Sequence, residues 1–362
     1  MIRVLHVVTY MGRGGLETML MNYYRNIDRS KVQFDFLVHR DFEADYDKEI
    51  LSLGGKIYHV LRLIPWSTAY KKELCDFFAE HPEYKIVHVH QDCLSSVALE
   101  CAQKCGIPVR IAHSHTSNQT KNLRYIIKRY YMKKIPQYAT DLFACGAKAG
   151  IWMFGNQKFN ILPNAVDIEK YAFSETIRNE MRKELGISDE FTVGHIGRFG
   201  KEKNHEFLIE VFRQIKNFNK NSKMLLVGNG EEFENIKRKV ISLGMEKDVI
   251  FTGVRPDVNR LLQAMDVFVF PSLYEGLPVT MIEAQAAGLQ CVISDKVPNE
   301  SIITEGMVTV KKLSDSAEEW AECILSKKDL EREDVSGDIK KHGFDIKSAA
   351  KRLEEFYIGK AK

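Results

Sequence analysis

Two glutamates, Glu275 and Glu283, flank a Gly-Leu-Pro turn in the stretch YEGLPVTMIEAQAAG, with seven residues between them. Carboxylates this close in sequence can work as acid and base or accept hydrogen bonds from a hydroxyl-rich ligand. Pro278 suits the first position of a helix, the alanine-rich TMIEAQAA continues it, and Gly288 ends it. Glu275 then lies in the loop before the helix and Glu283 in its second turn. Acidic residues near a helix N-terminus also serve the dipole alone, so this pattern leaves both readings open.

Other stretches offer partners for an anion. In GRFGKEKNHEFLIE, residues 197–210, Arg198 and Lys203 stand on a loop. A planar fork and a flexible ammonium can share the oxygens of a diphosphate there, or remain solvated. In GRGGLET, Gly14 and Gly15 precede a helix whose first amides can face an anion, although the spacing departs from G-x-G-x-x-G. Gly228 and Gly230 in VGNGEEFENI read as a structural turn. Histidines come as two H-x-H pairs, His88 with His90 and His113 with His115. Strand alternation puts each pair on one face, which is how some zinc hydrolases present ligands. The sequence offers no ordered set of further ligands, so no metal is assigned.

These stations must be held by elements. IRVLHVV, VQFDFLV, KIVHVH, VRIAHSH and DLFACG read as strands in the first half, and FTVGHIGR, SKMLLVG, DVIFTG, DVFVFPS and QCVISD in the second. Helical patterns separate them, which implies parallel sheets with helices on both faces. The chain of 362 residues exceeds one core, and Pro163 and Asn164 interrupt the pattern in ILPNAVDIEKY. The fold class is therefore α/β, with two doubly wound Rossmann-like domains facing a cleft: 1–165, joined by a returning helix at about 345–362, and 166–344. Each candidate residue follows the end of an expected strand, where open parallel sheets bind ligands.

Composition narrows the classes further. The chain is 44% hydrophobic and 28% charged, as in ordinary globular proteins. The opening MIRVLHVVTY reads as a buried strand, and the seven cysteines form no CxxC pair, so a cytoplasmic protein with reduced thiols is expected. Residues 1–165 carry 22 Lys and Arg against 15 Asp and Glu, a net of +7, while the remainder carries −4. Much of the excess runs from Lys121 to Lys134. There Ile126, Ile127, Tyr130 and Tyr131 recur at helical spacing among Arg124, Lys128, Arg129, Lys133 and Lys134. Such a segment suits an anionic membrane surface, or a half-buried helix with a solvated basic face.

Taken in order, GGLE, AHSHT, LPNAVD, GRFGKEKN, VGNGEE, FTGVRPDV and PSLYEGLPVTMIEAQAAG resemble the retaining GT-B glycosyltransferases of the family-four type, over nearly the whole chain. The resemblance implies a metal-independent, cofactor-free hexosyltransferase. It would use a nucleotide diphosphate sugar, uridine being the commonest base, and a glycan or polyprenyl-diphosphate-linked acceptor in surface polysaccharide synthesis. It implies that Glu283 accepts the ribose hydroxyls, Glu275 contacts the donor sugar, and Arg198 and Lys203 hold the diphosphate. The amides of Gly276 and Leu277 face the phosphates or sugar, and the base lies near Val254. Gly14 and Gly15 close over the phosphates. A histidine of AHSHT sits beside the donor sugar: His115 is chosen, with His113 as the alternative. A nucleotide-sugar epimerase or phosphorylase, or a non-catalytic nucleotide-sugar-binding subunit, would use the same fold. No nucleic acid is expected as a partner. Peripheral association with the inner face of the cell membrane would follow from the basic segment.

Overall fold

Runs such as VQFDFLV and FTVGHI carry branched and aromatic side chains at most positions, which suits strands covered on both faces. In the computed structural model, which describes residues 1–116 and 123–361, both runs are strands with every residue buried. The chain divides into two compact units, Met1–Ala165 with Asp345–Lys362, and Val166–Phe344.

The first unit is built on a parallel sheet of β1 (Ile2–Val7), β2 (Val32–Val38), β3 (Ile57–His59), β4 (Ile86–Val89), β5 (Val109–Ser114), β6 (Asp141–Ala144) and β7 (Asn160–Ile161), ordered β3-β2-β1-β4-β5-β6-β7. The chain order reverses between β1 and β4. The last helix, Ile346–Lys360, belongs to this unit. Its Asp345 cap accepts a hydrogen bond from the Ser348 amide at 3.0 Å. Ile346, Ala349, Ala350, Leu353 and Tyr357 form one stripe at helical spacing, and all are buried in the core beside the helix Gly15–Asn26.

The second unit carries β8 (Phe191–Ile196), β9 (Ser222–Val227), β10 (Val249–Gly253), β11 (Val267–Phe270), β12 (Gln290–Ser294) and β13 (Val308–Lys311), ordered β10-β9-β8-β11-β12-β13 and again all parallel. Its order reverses between β8 and β11. Loops that leave the carboxyl ends of two such strands diverge to opposite faces of the sheet and open a crevice. The loops carrying GRFGKEKN and PSLYEG leave from those two strands.

Three strands absent from the sequence reading, β3, β7 and β13, have three, two and four residues and lie at sheet edges. β3 and β7 are too short to show a periodicity, and β13, only partly buried, lacks the apolar run that marks a covered strand. No disulfide joins the seven cysteines, four of which are buried. Among the described residues no helix is long and apolar enough to cross a membrane.

Candidate active site

In the second unit, backbone and side-chain bonds tie the loop after β8 to the loop after β11. The Leu273 amide donates to the Glu202 carbonyl at 2.8 Å, and Asn204 Nδ2 to the Pro271 carbonyl at 3.2 Å. The loop after β9 packs on the same place. Gly228 has φ +133°, and a Cβ there would lie 2.1 Å from the Gly197 carbonyl, so only glycine permits the approach. On this scaffold Lys203 Nζ meets Glu275 Oε1 at 2.6 Å, and the ammonium lies 4.6 Å from the centre of the Phe270 ring. Both side chains of the pair are at most 15% exposed, so solvent screens them less than a surface pair. Arg198 is exposed on the same loop, and Val254 is exposed just after β10.

The helix after PSLYEGLP runs Val279–Ala286. Pro278 is its cap rather than its first residue, because its ψ of 117° is extended. Gly276 and Leu277 therefore precede the cap, and their amides flank the helix without belonging to its first turn. Glu283 sits in the second turn, 3% exposed. Tyr171 Oη donates to its Oε1 at 2.6 Å. Burial pushes the Glu283 carboxyl up to about 7, and the Tyr171 hydrogen bond and the Lys170 charge offset only part of that rise. The sequence reading did not single out Tyr171. Tyr171 ends the ILPNAVDIEKY segment, which marks the domain boundary and carries the LPNAVD station.

In the first unit, Gly14 caps the helix Gly15–Asn26 and both glycines are exposed. The Glu17 carboxyl folds back so closely that a Cβ at Gly14 would lie 2.3 Å from its Oε2, whereas a Cβ at Gly15 would meet nothing within 4 Å. Burial raises the Glu17 carboxyl to about 7 against the hydrogen bonds of its own amide and that of Gly14.

The histidines come together at the carboxyl ends of β1, β4 and β5. His6 pairs with His88 in register, and Val89 pairs with Ala112, so His90 and His113 follow side by side. His90 bridges two rings, with its Nε2 3.0 Å from His6 Nδ1 and its Nδ1 3.0 Å from His115 Nε2. His88 Nδ1 is 2.7 Å from Tyr357 Oη. His113 is fully buried, while His115, one residue past β5, keeps partial exposure. Burial lowers all five rings, to about 3 for His6 and His115 and well below the ordinary value for the others, so they are neutral imidazoles. Among the described residues, His6 Nε2, His88 Nε2 and both nitrogens of His113 have no hydrogen-bond partner. Each such buried group costs about 1–3 kcal/mol. The sequence reading missed His6, because a lone histidine in IRVLHVV carries no pattern until β1 is placed beside β4.

Residues 177–341 match the family model described as Glycosyl transferases group 1. Over 335 residues the chain is 37% identical to EpsF of Bacillus subtilis (strain 168), whose name places it among glycosyltransferases, covering 89% of this chain and 86% of that one. The chain belongs to the group 1 glycosyltransferases. This glycosyltransferase is also 28% identical over 241 residues to the UDP-Gal:alpha-D-GlcNAc-diphosphoundecaprenol alpha-1,3-galactosyltransferase of Escherichia coli, covering 61% of this chain and 60% of that one. Among solved structures it is similar to Anabaena HepE in complex with UDP-glucose, with a TM-score of 0.77 at 17% identity over 99% of this chain and 97% of that one. At that identity the likeness concerns the fold alone, and the fold of this glycosyltransferase is GT-B.

Proposed function

We propose that this glycosyltransferase moves a hexosyl or N-acetylhexosaminyl group, with retention, from a uridine diphosphate sugar to a glycan or lipid-linked acceptor in surface polysaccharide synthesis. The observation that carries the reading is the Lys203–Glu275 pair at the ends of β8 and β11, followed by the buried Glu283 on the next helix. Breaking the glycosidic bond builds negative charge on the departing diphosphate. Arg198, Lys203 and the amides around Gly276 and Leu277 are placed to oppose that charge, and such donors act most strongly where water is excluded. Glu275, held by Lys203, orients the donor sugar. Glu283 takes the ribose hydroxyls, and Val254 borders the base. In the first unit, Gly14 and Gly15 are the candidate anion-facing turn and His115 the candidate sugar-side histidine, preferred over His113 because it alone of the two keeps exposure. Retention follows if the acceptor attacks from the leaving-group face and the phosphate takes its proton. This assigns the glutamates to binding, unlike the flanking carboxylates of a glycoside hydrolase.

The galactosyltransferase relative's name supports a UDP-sugar donor and a diphosphoundecaprenol-linked acceptor. The helix Leu123–Met132 supports an acceptor at a membrane. Ile126 is 67% exposed and Tyr130 57%, alongside Lys128 and Arg129, and a cytoplasmic, membrane-peripheral location follows from that reading. Lys121 and Asn122 lie outside the described residues. The test is a thermal-shift and transfer screen of nucleotide sugars on the purified chain. A UDP-sugar that raises the melting temperature and yields a new glycoside is expected, with donor binding lost in Arg198→Ala and Glu283→Ala. No transfer from any donor, with unchanged binding in both variants, would sink the proposal; an epimer or a sugar phosphate as product would move it to the rival activities.

A further inference from the structure

The proposed transfer uses neither His6 nor His88. Both have no exposed surface, and His90 beside them is 3% exposed. One ring nitrogen from each of the three lies within 4.8 Å of the other two. We propose that His6, His88 and His90 bind a zinc-type first-row transition-metal dication in the first unit.

The chemistry of the donors carries the proposal. Imidazole suits zinc and its late first-row neighbours, and three imidazoles meet here. A tetrahedral zinc at about 2.0–2.1 Å from its ligands sets neighbouring nitrogens roughly 3.3 Å apart. His6 Nδ1 and His90 Nε2 stand at 3.0 Å, close to that spacing, and a nitrogen of His88 lies within 4.8 Å of both. Without an ion, His88 Nε2 stays buried and unpartnered among the described residues. Outer partners are already in place: Tyr357 Oη holds His88 Nδ1, which leaves Nε2 for a ligand, and His115 Nε2 holds His90 Nδ1. Metal-bound histidines are oriented by second hydrogen bonds of this kind. Three neutral ligands leave a fourth position for water or hydroxide. Because Tyr357 comes from the helix Ile346–Lys360, the ion would join β1, β4 and that helix, and its burial means that it enters during folding.

The test is the metal content of the untagged full-length chain from zinc-replete cells, after dialysis. Stoichiometric zinc is expected. Chain unfolded with chelator and refolded with Co²⁺ should show the visible absorption of tetrahedral cobalt and melt at a higher temperature than chain refolded without metal. His6→Asn and His88→Asn should lose the ion, and His59→Asn, at an exposed histidine, should keep it. Metal-free wild-type protein with no cobalt spectrum, or zinc retained in the His6→Asn, His88→Asn double variant, would overturn the site, and neither result depends on donor binding or transfer.

Discussion

A carboxyl group that is 3% exposed and held by a phenol must choose between neutrality and a charged role. Glu283 titrates near 7 in the folded chain and near its ordinary 4.5 once unfolded, so the folded state keeps the proton longer. Stability therefore falls as pH rises from about 4.5 to about 7, by roughly 3 kcal/mol for a shift of that size. Glu283→Gln removes this loss: at pH 8 its melting temperature should exceed that of the wild type. The ionised carboxylate is the better acceptor for two ribose hydroxyls, so wild-type donor affinity should rise with pH through about 7. The Gln variant should bind donor weakly and without that pH dependence; calorimetric titration across this range checks both. Lys203→Ala leaves Glu275 charged and without this ammonium, and removes a donor to the diphosphate. It should lower kcat about 10²–10³-fold in steady-state transfer assays. The types of Lys203, Glu275 and Glu283 were legible from sequence, but their ion pair and the Tyr171 bond were not, because each joins residues at least 72 positions apart.

Elements were legible where they are long and periodic. The ten strands read from sequence all appear, nine of them largely buried, because branched and aromatic runs signal burial on both faces; β3 and β7 carry too few residues to do so, and β13 is only partly buried. Loop geometry was less visible. Gly228 read as a turn glycine, yet its backbone sits at φ +133° against the Gly197 carbonyl. Gly228→Ala should lower the melting temperature and loosen the loop that carries Arg198, weakening donor binding; an unchanged melting curve would refute the close approach. On the helix Leu123–Met132, apolar Ile126, Ile127 and Tyr130 are exposed instead of packed, which favours the surface reading of the basic segment. The wild type should bind anionic vesicles in a salt-sensitive manner. Changing Lys128, Arg129, Lys133 and Lys134 to glutamine should reduce that binding in a sedimentation assay, and equal sedimentation would end the membrane reading.

At the scale of the whole molecule, the first unit depends on both ends of the chain. The helix Ile346–Lys360 supplies five buried side chains to a core otherwise built from residues 4–165. Deleting residues 345–362 should expose that core and bare His88 Nδ1, giving a chain that loses near-UV circular dichroism in the first unit and aggregates. A soluble, cooperatively melting truncation would contradict this. By itself the sequence determined the fold class and the family, because strand and helix periods and the order of the glycine, cation and carboxylate stations are local properties that survive without coordinates. The tertiary structure alone decided which distant groups meet: Lys203 with Glu275, Tyr171 with Glu283, and His6 with His88 and His90. The first and last of those meetings follow from strand order, and the second from the packing of the helices Ile168–Tyr171 and Val279–Ala286. A parallel sheet sets β1 beside β4 and β8 beside β11 across many intervening residues, and no local pattern records which neighbour a buried strand will take.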